Sequence, residues 1–101
     1  SKRKFLIMSK EYYRNQIARK RKDIIDLRED KKKRAEKKKR DLDSLSNRIK
    51  YSSSSSQKAS YRKRKIDVRE DYKRDVERIK DKVGRLRDDI SRLRESVKRA
   101  S

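Results

Sequence analysis

The sequence has no cysteine, histidine, tryptophan or proline, and only one glycine, Gly84, among its 101 residues. Without Cys and His, a disulfide framework and the usual zinc and haem sites are excluded. Without Pro, and with a single Gly, nothing in the chain breaks a helix over long stretches. The apolar cluster near the N-terminus, residues 5–8, is too short for a signal-peptide core or a membrane span. We therefore expect no transmembrane segment and no standard secretory signal.

Charge is what the sequence has in excess. Charged residues make up 53% of the chain and hydrophobic residues 29%, and 37 Lys+Arg against 17 Asp+Glu give a net charge of +20. The surplus is +12 in residues 1–50, with 20 cations and 8 carboxylates, and +8 in residues 51–101, with 17 and 9. This composition is typical of a long-helix protein or a disordered one, and the lack of Pro and Gly favours helix. Such a charge attracts nucleic acid, anionic lipid or acidic protein.

The C-terminal half has a regular heptad pattern. Eight successive a and d positions, alternately four and three residues apart, are filled without a gap by Tyr72, Val76, Ile79, Val83, Leu86, Ile90, Leu93 and Val97. This spacing predicts a coiled-coil helix, and β-branched residues at every a position favour two strands. The charges at the e and g positions permit a homodimer without requiring one.

The N-terminal half has a weaker apolar stripe. Its apolar members are Tyr13, Ile17, Ile24, Leu27, Ala35, Leu42, Leu45 and Ile49, and Lys20, Lys31 and Lys38 interrupt it. Ser9 is a candidate N-cap for this helix. A serine-rich segment, residues 51–60, separates the two patterns, and Ser60 is a candidate N-cap for the second helix.

These patterns predict an all-α fold, a long two-helix antiparallel coiled-coil hairpin. We expect a flexible segment at 1–8, helix 1 at 9–50, a turn at 51–60 and helix 2 at 61–101. Folding at Gln57 pairs positions whose numbers add up to 114, such as Ile24 with Ile90. The predicted helix–helix interface consists of Ile17, Ile24, Leu27, Leu42, Tyr72, Val76, Ile79, Val83, Leu86, Ile90, Leu93 and Val97. The alternative is a bent or continuous helix that pairs in parallel with a second copy, and dimerisation of the hairpin is left open.

A basic run, residues 31–40, has the sequence KKKRAEKKKR, with eight cations and one carboxylate. It is typical of a phosphate-binding surface, and its two KKKR segments also fit the pattern of a nuclear-import signal. A third interpretation is a solvated helix face held by four i,i+4 pairs: Glu29–Lys33, Asp30–Arg34, Lys32–Glu36 and Glu36–Arg40. These pairs leave several cations unbalanced, which favours binding of a polyanion.

Two further basic clusters have the sequence RKRK: the first at residues 19–22 and the second at residues 62–65. Basic segments therefore recur along both predicted helices. The candidate nucleic-acid-binding residues are Arg19, Lys20, Arg21, Lys22, Lys31, Lys32, Lys33, Arg34, Lys37, Lys38, Lys39, Arg40, Arg62, Lys63, Arg64 and Lys65. Tyrosines could stack on bases, but Tyr13 and Tyr72 occupy core positions, where tyrosine is more often packed.

The segments MSKEYYRNQIARKRKDIIDL (8–27) and VGRLRDDISRLRESVKR (83–99) resemble the small helical-hairpin partner proteins of LXG-type type VII secretion effectors. Those partners have aromatic residues near the start and an alternating Ile/Leu pattern at the end. The resemblance implies a helical hairpin and a role as a secretion partner. It carries no functional residue across to this chain.

The function expected from the sequence is a non-enzymatic basic coiled coil that binds nucleic acid, or another polyanion, by non-specific phosphate contacts. No catalytic motif, small-molecule substrate, cofactor or metal is expected. The alternative is a structural or adaptor coiled coil, a secretion-effector partner or an assembly factor, that pairs with an acidic or helical protein partner. We expect an intracellular location, cytoplasmic or nuclear, and leave open export by a route that needs no signal peptide.

Overall fold

The computed structural model describes residues 2–100, and the side chains of residues 8–100. Two helices, α1 (Lys2–Tyr51) and α2 (Ser55–Arg99), account for nearly all of this range, and no strand occurs in it. The predicted all-α helical hairpin is therefore confirmed. Neither helix contains, within the described residues, a stretch apolar and long enough to cross a bilayer.

The helices are longer than the sequence predicted. α1 begins at Lys2, so Ser9 lies inside it, and its predicted role as N-cap is wrong. The segment predicted to be flexible, residues 1–8, is helical from Lys2 onward, and Ser1 lies outside the described residues. α2 begins at Ser55 rather than at 61 and ends at Arg99. The extra length is consistent with the absence of Pro and Gly from both extensions, because no residue there terminates a helix.

The connection between the helices is only residues 52–54, and serines satisfy its backbone. Ser54 is the N-cap of α2, since the Gln57 amide donates to the Ser54 hydroxyl at 3.3 Å. The Ser54 amide donates to the Ser52 hydroxyl at 3.3 Å, and that hydroxyl donates to Gln57 Oε1 at 3.1 Å. Serine hydroxyls thus replace the helical hydrogen bonds that the chain loses where it reverses. The N-cap role predicted for Ser60 belongs to Ser54.

The chain divides into two compact units. The terminal unit comprises Ser1–Arg28 and Lys80–Ser101, and the central unit is Glu29–Ile79. In the terminal unit, three isoleucines, Ile17, Ile24 and Ile90, form a buried cluster. Half-buried apolar residues of α2 pack against this cluster: Val83, Leu86, Leu93 and Val97. The terminal unit is therefore held by an apolar core along its helix–helix interface.

The central unit has a more polar helix–helix interface. Leu45 and Ile79 are its buried apolar residues. The side chains that bond across this interface are polar: Arg34 to Asp75, and Lys65 to Ser46. Polar and charged contacts therefore supply much of what joins α1 to α2 in this unit.

The register of the two helices differs from the prediction by about one helical turn. In the central unit, Arg34–Asp75, Lys38–Tyr72 and Ser46–Lys65 pair across the hairpin, and their numbers add up to 109, 110 and 111. In the terminal unit, Lys20–Asp89 also adds up to 109. The predicted value of 114 assumed a turn centred on Gln57, whereas the turn is centred on Ser53. A turn earlier in the chain lowers the sum, which explains the direction of the shift.

Candidate polyanion-binding surface

The sixteen candidate nucleic-acid-binding residues fall into two groups. Twelve have exposed side chains, and four, Lys20, Arg34, Lys38 and Lys65, are half-buried. Each of these four contacts the opposite helix within its own unit. The sequence predicted the same role, nucleic-acid binding, for all sixteen, but these four side chains contact the opposite helix of the hairpin.

Arg34 is the centre of an ionic network in the central unit. Its Nε donates to Asp30 at 3.0 Å along α1, and its Nη1 donates to Asp75 of α2 at 2.7 Å. Asp75 also accepts from Arg78 Nη2 at 3.2 Å. Hydrogen bonds to the Asp30 and then the Asp75 carboxylate raise the pKa of Arg34, so its charge is retained at any ordinary pH. The guanidinium of Arg34 therefore joins the two helices by binding carboxylates on both.

The three half-buried lysines make different contacts across the hairpin. Lys20 Nζ lies 3.5 Å from Asp89 in the terminal unit. In the central unit, Lys38 Nζ lies 4.1 Å from the ring centre of Tyr72, and Lys65 Nζ donates to the Ser46 hydroxyl at 2.9 Å. The Lys38–Tyr72 contact is a cation–π interaction, which also accounts for a tyrosine at an interface position.

The other six cations of the basic run have no partner in the described part of the chain. Their side chains are exposed, and they form no ion pair, hydrogen bond or ring contact with a described residue: Lys31, Lys32, Lys33, Lys37, Lys39 and Arg40. Of the four i,i+4 pairs expected here, Asp30–Arg34 is the one that the described residues form. Ion pairs along α1 therefore balance the charge of Arg34 but not the charges of the other cations in the run.

Helix geometry spreads these six cations over the outward side of α1. Lys33, Lys37 and Arg40 follow i, i+4, i+7 spacing, so they share one face. Lys32 and Lys39 are seven residues apart and share a second face. Lys31 was expected at an interface position, and this prediction is wrong, because its side chain is exposed. Arg34, three residues further along α1, is half-buried and lies in the interface instead.

The two RKRK clusters lie in different surroundings. The first cluster (19–22) belongs to the terminal unit, where all its members except Lys20 are exposed. The second cluster (62–65) belongs to the central unit, and Tyr61 beside it lies between Arg48 and Arg64, with ring-to-guanidinium distances of 5.9 and 5.8 Å. The basic run contacts the Tyr72–Asp75 region of α2, and the second cluster contacts α1 near Ser46. The hairpin thus keeps these two basic segments of the central unit apart.

All twelve residues of the predicted helix–helix interface have buried or half-buried side chains. The prediction omitted Leu45, which is buried, although it lies on the apolar stripe of α1. It also omitted the polar members of the interface, Asp75 and Asp89. The heptad pattern places both carboxylates at g positions, which flank the interface, but it does not identify the cations that they meet on α1. Their partners become recognisable only when the register of the two helices is known.

No family model, curated protein or solved structure matches the chain. The similarity to helical-hairpin partners of secretion effectors therefore stays a prediction. Among residues 8–100, whose side chains are described, no group of three or more carboxylates is arranged to hold a metal ion.

Proposed function

We propose that this protein binds a polyanion, nucleic acid in the first place, by non-specific contacts between the basic run and backbone phosphates. The observation that carries this proposal is the six exposed cations of the run that lack a partner in the described residues. Lysine and arginine side chains on a polyanion replace its condensed counterions, and release of those counterions drives binding.

The distribution of charge supports phosphate contacts without reading of sequence. Five of the six cations project from two faces of one helix and Lys31 from a third, over ten residues or roughly 15 Å of helix axis. Duplex DNA presents one phosphate charge about every 1.7 Å, so many phosphates lie within reach of such a segment. The exposed members of the two RKRK clusters add to the attraction. The basic run contains no asparagine or glutamine, the side chains that recognise adenine through its base edge.

The test compares two variants, each of which loses six positive charges from a different part of the chain. The run variant changes Lys31, Lys32, Lys33, Lys37, Lys39 and Arg40 to Gln. The dispersed variant changes six exposed cations of α2 that also lack a partner in the described residues: Arg69, Lys73, Lys80, Lys82, Arg85 and Arg99. Fluorescence anisotropy of a labelled DNA duplex, measured at several salt concentrations, gives the affinity and its salt dependence.

We expect the slope of log K against log salt to fall by about 0.9 for each phosphate contact removed, and to fall more in the run variant. Parallel titrations with duplex RNA and with inorganic polyphosphate separate nucleic acid from polyanions in general. Equal losses in the two variants would show that total charge, not the basic run, determines binding. Wild-type binding that does not change with salt would contradict the proposal altogether.

A further inference from the structure

The terminal unit has a groove lined by four arginines. Arg21 and Arg28 of α1 and Arg87 and Arg94 of α2 lie along a cavity of about 470 Å³ between the two helices. The arginines on each helix are seven residues apart, so each pair lies on one side of its helix with a separation of about 10 Å along the axis. Two parallel rows of guanidinium groups therefore border the groove.

These four arginines are not neutralised by the protein. No carboxylate lines the groove. The four side chains are exposed, and they make no ion pair or hydrogen bond with any residue that the structure describes. On the other flank of the same helix pair, a second groove of similar volume contains Asp23 and Asp26 together with Lys82 and Arg85. Of these two grooves, only the arginine groove is lined by cations without carboxylates.

The floor of the arginine groove is apolar. Ile24 and Ile90 belong to the buried core, and Ile25 lies beside them with 54% of its surface exposed. An isoleucine this exposed contributes little to the hairpin, and burying it against a partner is favourable at about 25 cal/mol per Å². An apolar strip between two rows of arginines is complementary to a ligand with an apolar face and acidic margins.

We propose that this groove binds an acidic amphipathic helix of a partner protein, which would lie along the two helices as a third helix. Apolar residues of the partner would cover Ile25, and carboxylates repeating every seven residues would meet the two arginine rows. Arginine suits this role because its planar guanidinium pairs with a carboxylate through two parallel hydrogen bonds. Nucleic acid fits less well, since its phosphates gain nothing from an isoleucine floor. A second copy of this chain, at +20, would be repelled.

The experiment uses a synthetic peptide of three heptads with Leu at a and d and Glu at e and g, labelled for fluorescence anisotropy. A scrambled peptide of the same composition, which forms no apolar face, is the control ligand. Two double variants are compared with wild type: Arg87→Glu with Arg94→Glu in the arginine groove, and Lys82→Glu with Arg85→Glu in the opposite groove. Both change the net charge equally, and circular dichroism verifies that both stay helical.

We expect the heptad peptide to bind wild type at least about tenfold more tightly than the scrambled peptide does, because only the former buries an apolar face. The arginine-groove variant should lose about tenfold or more in affinity, and the opposite-groove variant clearly less. An Ile25→Gln change should also weaken binding, although it changes no charge. Equal losses in the two double variants, or equal binding of the two peptides, would refute the proposal. A labelled DNA duplex that loses affinity selectively in the arginine-groove variant, with no peptide binding, would assign the groove to nucleic acid.

Discussion

The two units of the hairpin join the same two helices by different means. In the terminal unit, Ile17, Ile24 and Ile90 form a buried cluster, and four half-buried leucines and valines of α2 pack against it. In the central unit, buried apolar residues are sparse, and Arg34 bonds to carboxylates on both helices. Apolar burial and paired ions both join the helices in each unit, and the balance shifts from the apolar cluster in the terminal unit to the Arg34 network in the central unit.

The difference also separates the roles of the basic residues. In the central unit, Arg34 and Lys38 of the basic run stabilise the hairpin, and the remaining six cations of the run face outward. A polar interface imposes a specific register, because a shift would leave charged groups unpaired, but it adds less stability than an apolar one. The unit that displays the basic run is thus expected to be the less stable of the two.

The largest effect on this comparison should come from Ile24→Ala. Ile24 is 7% exposed, and its truncation leaves a cavity in the terminal unit, which costs about 2–5 kcal/mol of unfolding free energy. Urea denaturation followed by circular dichroism measures the loss. Hydrogen exchange should show lower protection of amides in the terminal unit.

Ile25→Ala is the matched control, because it removes the same atoms from the neighbouring residue. Ile25 is 54% exposed, so its truncation should cost well under half as much as Ile24→Ala. Similar losses for the two variants would show that Ile24 is not part of a packed core.

Much of the fold could be predicted from the sequence, because the heptad positions of α2 are regular and nothing else competes with them. The spacing of residues 72–97 gave the correct face of that helix throughout, from Tyr72 to Val97. The hairpin followed from two such patterns separated by serines. The exposed positions of most basic residues also follow, since charged side chains between heptad positions face the solvent.

The turn and the polar interface could not be predicted in the same way. Serine is compatible with a turn and with the first turn of a helix, so the segment 51–60 did not indicate that Ser54 would be the N-cap. In α1, Arg34 and Lys31 are both basic residues near the drifting apolar stripe. Only the position of Asp75 on the opposite helix determines that Arg34 lies in the interface.

Asp75→Asn tests whether paired ions hold the central unit. Asp75 is 23% exposed at its side chain and accepts from both Arg34 and Arg78, so the substitution leaves two cations less well paired. We expect lower thermal stability, by less than Ile24→Ala causes, and a smaller difference from wild type in high salt, because salt screens ionic contacts. Asp71→Asn is the control, since the partner of Asp71 among the described residues is the exposed Arg74 on its own helix. If both variants melt alike, the Arg34–Asp75 contact does not stabilise the hairpin.

Gly84→Ala should give the smallest effect, and in the opposite direction. Gly84 lies inside α2 in the terminal unit, and apart from the adjacent residues and the backbone of its own helix, a methyl group at its Cα would meet no atom within 4 Å. Alanine reduces the conformational freedom of the unfolded chain and favours helix, so the variant should gain about 0.5–1 kcal/mol of unfolding free energy. Ala18→Gly, at an exposed position of α1 in the same unit, should lose a similar amount. Because Gly84 belongs to the terminal unit, hydrogen exchange should show greater protection of the amides in that unit, while protection of the central unit stays unchanged. A gain of equal size in both units would mean that they unfold together, and the difference in their interfaces would then have no effect on local stability.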